Sequence, residues 1–309
     1  FIPFVSQAPT FVSYSWVPSL DIGFSFYLDG LSLLFSLLIT GIGALVYLYS
    51  SSYLKNSPDL DRFWAYLSFF MGSMLGLVLS DNVITLFVFW ELTSISSFFL
   101  IGYQNENPKS RKAAMTALTI TGLGGLFLFT GFMLVGAITD TYSIREWVEL
   151  SPFLTSHSSY IWILVLVLLG AFTKSAQFPF HFWLPAAMKA PTPVSTYLHS
   201  ATMVKAGVYL IARLTPALGG TIEWNHTLLI VGGVTMVYAA IHSLFRSDLK
   251  SILAYTTITA LGIIVFLLGL GHEDAWIAAM SFILIHALYK ATLFLMTGAI
   301  DLSTGTREI

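Results

Sequence analysis

Nine stretches of this sequence are apolar over lengths that can cross a lipid bilayer, at residues 30–53, 63–80, 83–103, 112–138, 158–187, 191–215, 226–245, 249–271 and 275–300. A hydrocarbon core about 30 Å thick takes roughly 20 helical residues. No water inside it can satisfy an open backbone, so such stretches fold as helices. The composition agrees, with 56% hydrophobic and 10% charged residues, where a soluble domain carries about 25% charged. The predicted fold class is therefore an all-α polytopic membrane protein. There is no cysteine for a disulfide, thiolate metal site or Fe–S cluster, and no metal-binding His/carboxylate spacing. The net charge of -2 and the lack of a Lys/Arg run argue against a nucleic-acid partner.

Charges between the spans alternate. One side receives Lys55, Arg62, Lys109, Arg111, Lys112, Lys189, Arg246, Lys250 and Arg307. The other receives Arg145 and Arg213 among a larger set of acids that includes Asp29, Asp81, Glu146, Glu223 and Glu273. The positive-inside rule makes the first side cytoplasmic, which puts 104–111 in the cytoplasm and 139–157 outside. Residues 1–29 differ from the rest: Pro3, Pro9, Pro18, Asp21 and aromatics alternate with polar residues. That segment reads as an extended or hairpin-like extracytoplasmic connection. The chain begins with Phe1 rather than Met and has no signal peptide, which predicts that it lacks its own N-terminus. Small residues recur in the spans, as Gly72 with Gly76 and the cluster Gly122, Gly124 and Gly125, and read as close helix packing.

The fifth span carries Lys174-Ser-Ala-Gln-Phe-Pro179 in its middle. Proline removes a backbone donor and clashes with the preceding turn, so the helix is expected to break near 175–179. The carbonyls freed there would face a polar cavity, a recurring device at ion sites in membranes.

Ionisable residues inside the spans point to function. Glu91 lies mid-span, Lys174 at the break, His199 and Lys205 in the sixth span, and His286 and Lys290 in the ninth at i, i+4 on one face. A charge at the bilayer centre costs about 2.5–3.5 kcal/mol on insertion scales. Glu91, Lys174, Lys205 and Lys290 would together cost on the order of 10 kcal/mol if isolated. They must pair, be hydrated or be partly neutral. A structural glue requires one pair, whereas a series of groups on separate helices suits a water-linked proton relay, since a desolvated lysine gives up its proton more readily than one in water. Glu91 and Lys174 read as one coupled pair, within about one water of each other. Lys250 begins the eighth span, where a snorkelling lysine is also expected; Tyr255, Thr256, Thr257 and Thr259 beyond it could hold water. His181 follows the break with either a site role or a solvent-facing one, while His157, His226, His242 and His272 read as ordinary residues of span edges and loops.

Six segments carry a resemblance. Phe89-Trp90-Glu91-Leu92-Thr93-Ser94, the run Gly170 to Pro179, Ala190 to Ser195, Leu198 to Gly207, Asp248-Leu249-Lys250 and His286 to Lys290 resemble the antiporter-like subunits of Mrp cation/proton antiporters and of respiratory complex I. The agreement runs from about Ser19 onward and favours the large A-type subunits of Mrp, related to the L-type subunit of complex I. The resemblance implies an antiporter-like helical bundle with a discontinuous transmembrane helix, in which residues 30–309 form the proton-translocation domain of a longer subunit. It assigns the glutamate–lysine pair to Glu91 and Lys174, the next relay position to His199 and Lys205, the central lysine to Lys250, and the following pair to His286 and Lys290. Relatives often carry another histidine where this chain has Phe282. The second broken helix of the family, with its exit-side lysine, would lie beyond Ile309.

The resemblance further implies a secondary transporter subunit, not an enzyme. It would use no cofactor, exchange H+ for Na+, and sit among other subunits of a hetero-oligomeric Mrp-type complex in a bacterial or archaeal plasma membrane. No cluster of carboxylates and carbonyls marks a Na+ site. Two rivals stand beside this reading: a proton-pumping subunit of NADH–quinone oxidoreductase, and a membrane scaffold whose buried ions only fix assembly.

Overall fold

The computed structural model describes residues 9–17, 22–55 and 59–309; Pro3, Pro18 and Asp21 of the opening segment lie outside the described residues. The described chain opens on two antiparallel strands, β1 (Thr10–Val17) and β2 (Ile22–Leu28), with Thr10 opposite Leu28 and Ser13 opposite Ser25. Helices follow: α1 (Gly30–Tyr53), α2 (Leu60–Leu79), α3 (Val83–Ile101), α4 (Pro108–Thr139), the short α5 (Ile144–Glu149) and α6 (Ser151–Ser156), and α7 (Tyr160–Lys174). After a 3-10 turn at Phe180–Phe182 come α8 (Trp183–Ala187), α9 (Thr192–Ser200), α10 (Met203–Leu218), α11 (Ile222–Ser243), α12 (Leu249–Gly269) and α13 (Glu273–Thr304).

Seven of these, α1 to α4 and α11 to α13, are long and apolar enough to cross a bilayer. Leu48, Leu126, Ile230 and Leu288 point outward from them, a surface that suits lipid or another membrane subunit. Of the nine expected spans the fifth is broken, as the sequence predicts, and the sixth, expected to be continuous, is broken as well.

The fifth stops at Lys174. Its 15 residues reach about 22 Å, short of a full crossing. Pro179 offers no N–H to the Ser175 carbonyl, and in a continued helix its ring would strike that carbonyl. The Phe178–Pro179 peptide is cis. Three of the carbonyls freed there find donors inside the protein. Phe172 O accepts from Gln177 N (2.9 Å), Thr173 O from Trp183 Nε1 (2.9 Å) and Ser175 O from Gln177 Nε2 (3.0 Å). These three carbonyls are satisfied by residues of the break and of the short turn that follows it.

Within it Ala176, fully buried, has φ of 50°, a region where a Cβ costs about 1–2 kcal/mol and a β-branched residue is an outlier. Ala176→Gly is expected to leave the amount of protein in membranes unchanged or raised. Ala176→Val is expected to lower it severalfold on immunoblots. Equal levels of the two variants would show that this conformation is not required.

The sixth span breaks at Ala201 and Thr202, with neither proline nor positive φ there. Thr202 turns its hydroxyl back onto the Tyr197 carbonyl (2.7 Å), and its own carbonyl accepts from Lys205 N (2.8 Å), starting α10. The two breaks lie side by side: a Cβ on Gly207 would stand 2.2 Å from Ala171 O and 2.8 Å from the Ser175 Cβ. Only glycine lets the start of α10 cross the end of α7 this closely.

One end of the bundle is closed by ion pairs. Asp29 caps α1 and is held by both terminal nitrogens of Arg213 (2.7 and 2.9 Å). Asp81 accepts from Ser143 Oγ and pairs with Arg145, whose guanidinium lies 3.7 Å from the Phe11 ring of the hairpin. At the opposite end Arg307 pairs with Asp248.

Candidate functional site

Each broken helix delivers a lysine to the interior, and both lysines are wholly shielded from solvent. Lys174, the last residue of α7, reaches across to α3. Its Nζ donates to the Trp90 carbonyl (3.0 Å) and to Ser94 Oγ (2.7 Å), 5.0 Å from the centre of the Trp90 ring. That turn of α3 carries Glu91, whose Oε1 is buried and accepts no hydrogen bond. Among the described residues Glu91 and Lys174 make no direct salt bridge; their charges act on each other at longer range.

Room for the carboxylate comes from α4. A Cβ on Gly125 would stand 1.8 Å from Glu91 Oε1, and one on Gly124 would stand 1.7 Å from Thr173 Oγ1. The glycine cluster that reads as packing therefore sits against the ionisable pair. Of the other glycines in these motifs, Gly72 and Gly122 face open space, and Gly76 receives the Phe89 ring.

Lys205, in the first turn of α10, repeats the arrangement on α13. Its Nζ donates to the Ile283 carbonyl (3.1 Å), one turn before His286. The His286 ring is buried between Phe282 (6.1 Å) and Tyr289 (5.3 Å), with neither nitrogen hydrogen-bonded. One turn on, Lys290 Nζ donates to the Leu253 carbonyl (3.2 Å) and to Thr256 Oγ1, both on α12. Lys250, a turn earlier on α12, is buried and donates to Ala190 O (2.7 Å) in the link between the broken spans. It is drawn inward rather than extended to solvent. His199 on α9 is buried with both nitrogens unpartnered, 6.4 Å from the Trp183 ring and 6.5 Å from Phe294.

These groups lie at separate places inside the bundle: Glu91 and Lys174 between α3 and α7, Lys205 and His286 between α10 and α13, Lys290 between α13 and α12, and Lys250 on α12 against the link at Ala190. His199 stands apart from any hydrogen-bonded partner, though within electrostatic range of Lys250. Pro179 lies at the break as expected but touches none of the lysines through a hydrogen bond. The structure also brings in Ser94, Gly125 and Thr256. Ser94 was legible as the i+3 neighbour of Glu91 on one helix face; Gly125 was marked only as one of a cluster that reads as helix packing. His157 and His272 have local roles, accepting from Ser159 N and Ala275 N.

An unpaired imidazole offers one donor and one acceptor. A lysine ammonium bonded twice keeps a third N–H. Such a series can pass a proton if water or side-chain motion joins neighbouring members.

Comparison with known proteins places this geometry. Residues 80–309 match the family described as NADH:quinone oxidoreductase/Mrp antiporter, TM, and residues 15–64 match that of NADH-Ubiquinone oxidoreductase (complex I), chain 5 N-terminus. The A-type Na(+)/H(+) antiporter subunit of Alkalihalophilus pseudofirmus is 51% identical over 95% of this chain, which covers 38% of that relative. The A1-type Na(+)/H(+) antiporter subunit of Staphylococcus aureus is 48% identical over 96% of the chain, again covering 38%. This chain thus spans well under half the length of these relatives. Among solved structures, a chain of the Mrp complex from a Dietzia species aligns over 100% of this chain and 34% of its own, with a TM-score of 0.94 and 42% identity. An archaeal membrane-bound sulfane sulfur reductase shares the fold, with a TM-score of 0.83 and 24% identity over 92% of this chain and 58% of its own.

Proposed function

Because the chain belongs to the NADH:quinone oxidoreductase/Mrp antiporter transmembrane family, we propose that it is the proton-relay region of one subunit of a multisubunit Na+/H+ antiporter. The observation that carries this reading is the seating of Lys174. Its amino group is buried on the turn of α3 that bears Glu91, while the Glu91 carboxylate keeps an unpartnered oxygen.

In the proposed relay Lys174 exchanges between two environments. Held by Trp90 O and Ser94 Oγ near Glu91, it keeps its proton, since a neighbouring carboxylate favours the charged amine. Displaced from Glu91, it passes a proton toward Lys205 and His286, then to Lys290 and Lys250. His199 is an alternative acceptor beside Lys250. Coupling to Na+ occurs with other subunits of the complex, and the protein works as a secondary transporter rather than an enzyme. Lys109 and its neighbours face the cytoplasm and the β1–β2 hairpin faces outward, as the charge distribution predicts. The rival role, in a respiratory NADH–quinone oxidoreductase, draws on the family match at residues 15–64. It is separated by the subunits that co-purify, flavin and Fe–S proteins among them or not.

The test is Na+-driven ΔpH in everted vesicles carrying the full-length subunit in its complex, with assembly followed on native gels. Glu91→Gln is expected to assemble and to lose at least about tenfold in exchange rate, equivalent to about 1.4 kcal/mol. Glu91→Asp keeps the charge with a shorter reach and is expected to retain part of the rate. Full exchange in Glu91→Gln would refute the switch, and loss of assembly would favour the scaffold reading.

A further inference from the structure

A second set of titratable rings lies outside the relay, where the break of the fifth span meets α11. The break is pinned to α11 by Phe178 N donating to Thr235 Oγ1 (3.0 Å). Just beyond it His181 is nearly buried, with Nδ1 unpartnered, and meets the Tyr238 ring edge-on at 4.7 Å. His242 stacks on the same Tyr238 ring at 3.9 Å. His242 is in the last turn of α11 and half-buried. α10 ends near the Arg213–Asp29 pair and α11 begins a few residues later, so His242 lies at the end of the bundle away from the hairpin.

One hydrogen bond fixes the chemistry of His242. Its Nδ1 is 2.9 Å from the Tyr238 carbonyl, which can only accept, so the hydrogen of the neutral ring resides on Nδ1. The Nε2 lone pair is then free to take a proton. The groups facing His242 from α12 and its approach are Tyr255, 5.9 Å away ring to ring, and Arg246, which donates to the Tyr255 hydroxyl (3.0 Å). Neither fills Nε2 with a hydrogen bond.

We propose that His242 and His181, both in contact with the Tyr238 ring, form a proton-collecting port that feeds the broken fifth span from the end of the bundle opposite the hairpin. The proposal rests on the relay reading above. In it, Nε2 of His242 gains a proton from water and the ring becomes imidazolium. Transfer of one proton past Tyr238 to the free Nδ1 of His181 returns His242 to neutral and leaves His181 protonated. From there Gln177, whose Oε1 is buried and unpartnered, lies between His181 and Lys174 in the chain. No redox partner or leaving group is involved.

The test uses the full-length subunit in its complex, in everted vesicles, with initial rates in weak and in strong buffer. His242→Phe preserves the stack on Tyr238 and removes the base; His242→Ala opens space for a small buffer molecule. In weak buffer both are expected to slow exchange by about tenfold, less than the roughly 10²–10⁴-fold of a group that transfers a proton in the transition state, because water still delivers protons to His181. Added imidazole is expected to restore His242→Ala, and strong buffer to restore both in part. Wild-type rates for His242→Phe in weak buffer would overturn the port. So would slow rates that neither imidazole nor strong buffer changes, because they indicate a structural role. Glu91→Gln measured alongside separates the two claims: full activity there removes the relay itself, whereas an inactive Glu91→Gln beside a fully active His242→Phe removes only the port.

Discussion

Lys174→Met in the full-length subunit is expected to assemble normally and to lose Na+-driven proton exchange by at least about a hundredfold, or about 2.7 kcal/mol. Methionine keeps most of the apolar stem that α3 and α7 bury and gives up only the two bonds from Nζ. The acceptors are not stranded: Trp90 O still accepts from Thr93 Oγ1 (2.7 Å), and Ser94 Oγ still donates to Trp90 O (3.3 Å). The structural cost is therefore on the order of 1–3 kcal/mol. Lys174→Arg is the sharper variant. A guanidinium can keep the bonds and the charge near Glu91 but does not release its proton inside a protein. Methionine has no proton to carry and arginine cannot give one up, so both are expected to stop exchange. Wild-type exchange with arginine at this position would mean that only charge is needed there.

Gly125→Ala is expected to have the second largest effect, although glycine carries no chemistry. The added methyl would fall 1.8 Å from Glu91 Oε1, far inside contact distance, so the carboxylate has to swing away. Overpacking of this kind costs about 1–3 kcal/mol, and the displaced carboxylate no longer faces Lys174. Exchange is expected to fall at least about tenfold. The double variant Gly125→Ala/Glu91→Asp, with a shorter acid, is expected to recover rate relative to Gly125→Ala alone. Such a recovery would be non-additive and would report direct contact. Gly122→Ala is the control, because its Cβ meets open space and alanine favours the helix by about 1 kcal/mol. Equal losses in Gly122→Ala and Gly125→Ala would trace the effect to α4 as a whole.

The spans were legible because hydropathy over about 20 residues has no other outcome in lipid. The fifth break was legible because Pro179 removes a donor wherever the chain goes. The sixth was not: Ala201 and Thr202 carry no helix-breaking chemistry, and the break persists because a threonine hydroxyl replaces the lost backbone bond at Tyr197 O. The ionisable residues themselves stood out against apolar surroundings, but their partners did not. A lysine in a span suggests a carboxylate partner, yet Lys174, Lys205 and Lys250 all settle on backbone carbonyls, which every residue possesses and no sequence distinguishes. Gly125 and His242 escaped for the same reason, since their importance lies in which side chain the fold places beside them.

The break of the fifth span has a mechanical meaning. Transporters that rock between two shapes need a flexible joint, and an unwound helix in mid-membrane invites that role. Here the carbonyls of Phe172, Thr173 and Ser175 are each tied to a donor within the same short segment, and Gly207 presses a second helix directly onto the stop of the first. Such a knot resists bending. What is left loose nearby are side-chain ends: one oxygen of Glu91, both nitrogens of His199 and His286, and the amide oxygen of Gln177. The moving parts of the proposed relay are then torsions of single side chains around a stationary frame, and its natural clock is rotamer exchange rather than the microsecond-to-millisecond swing of whole helices.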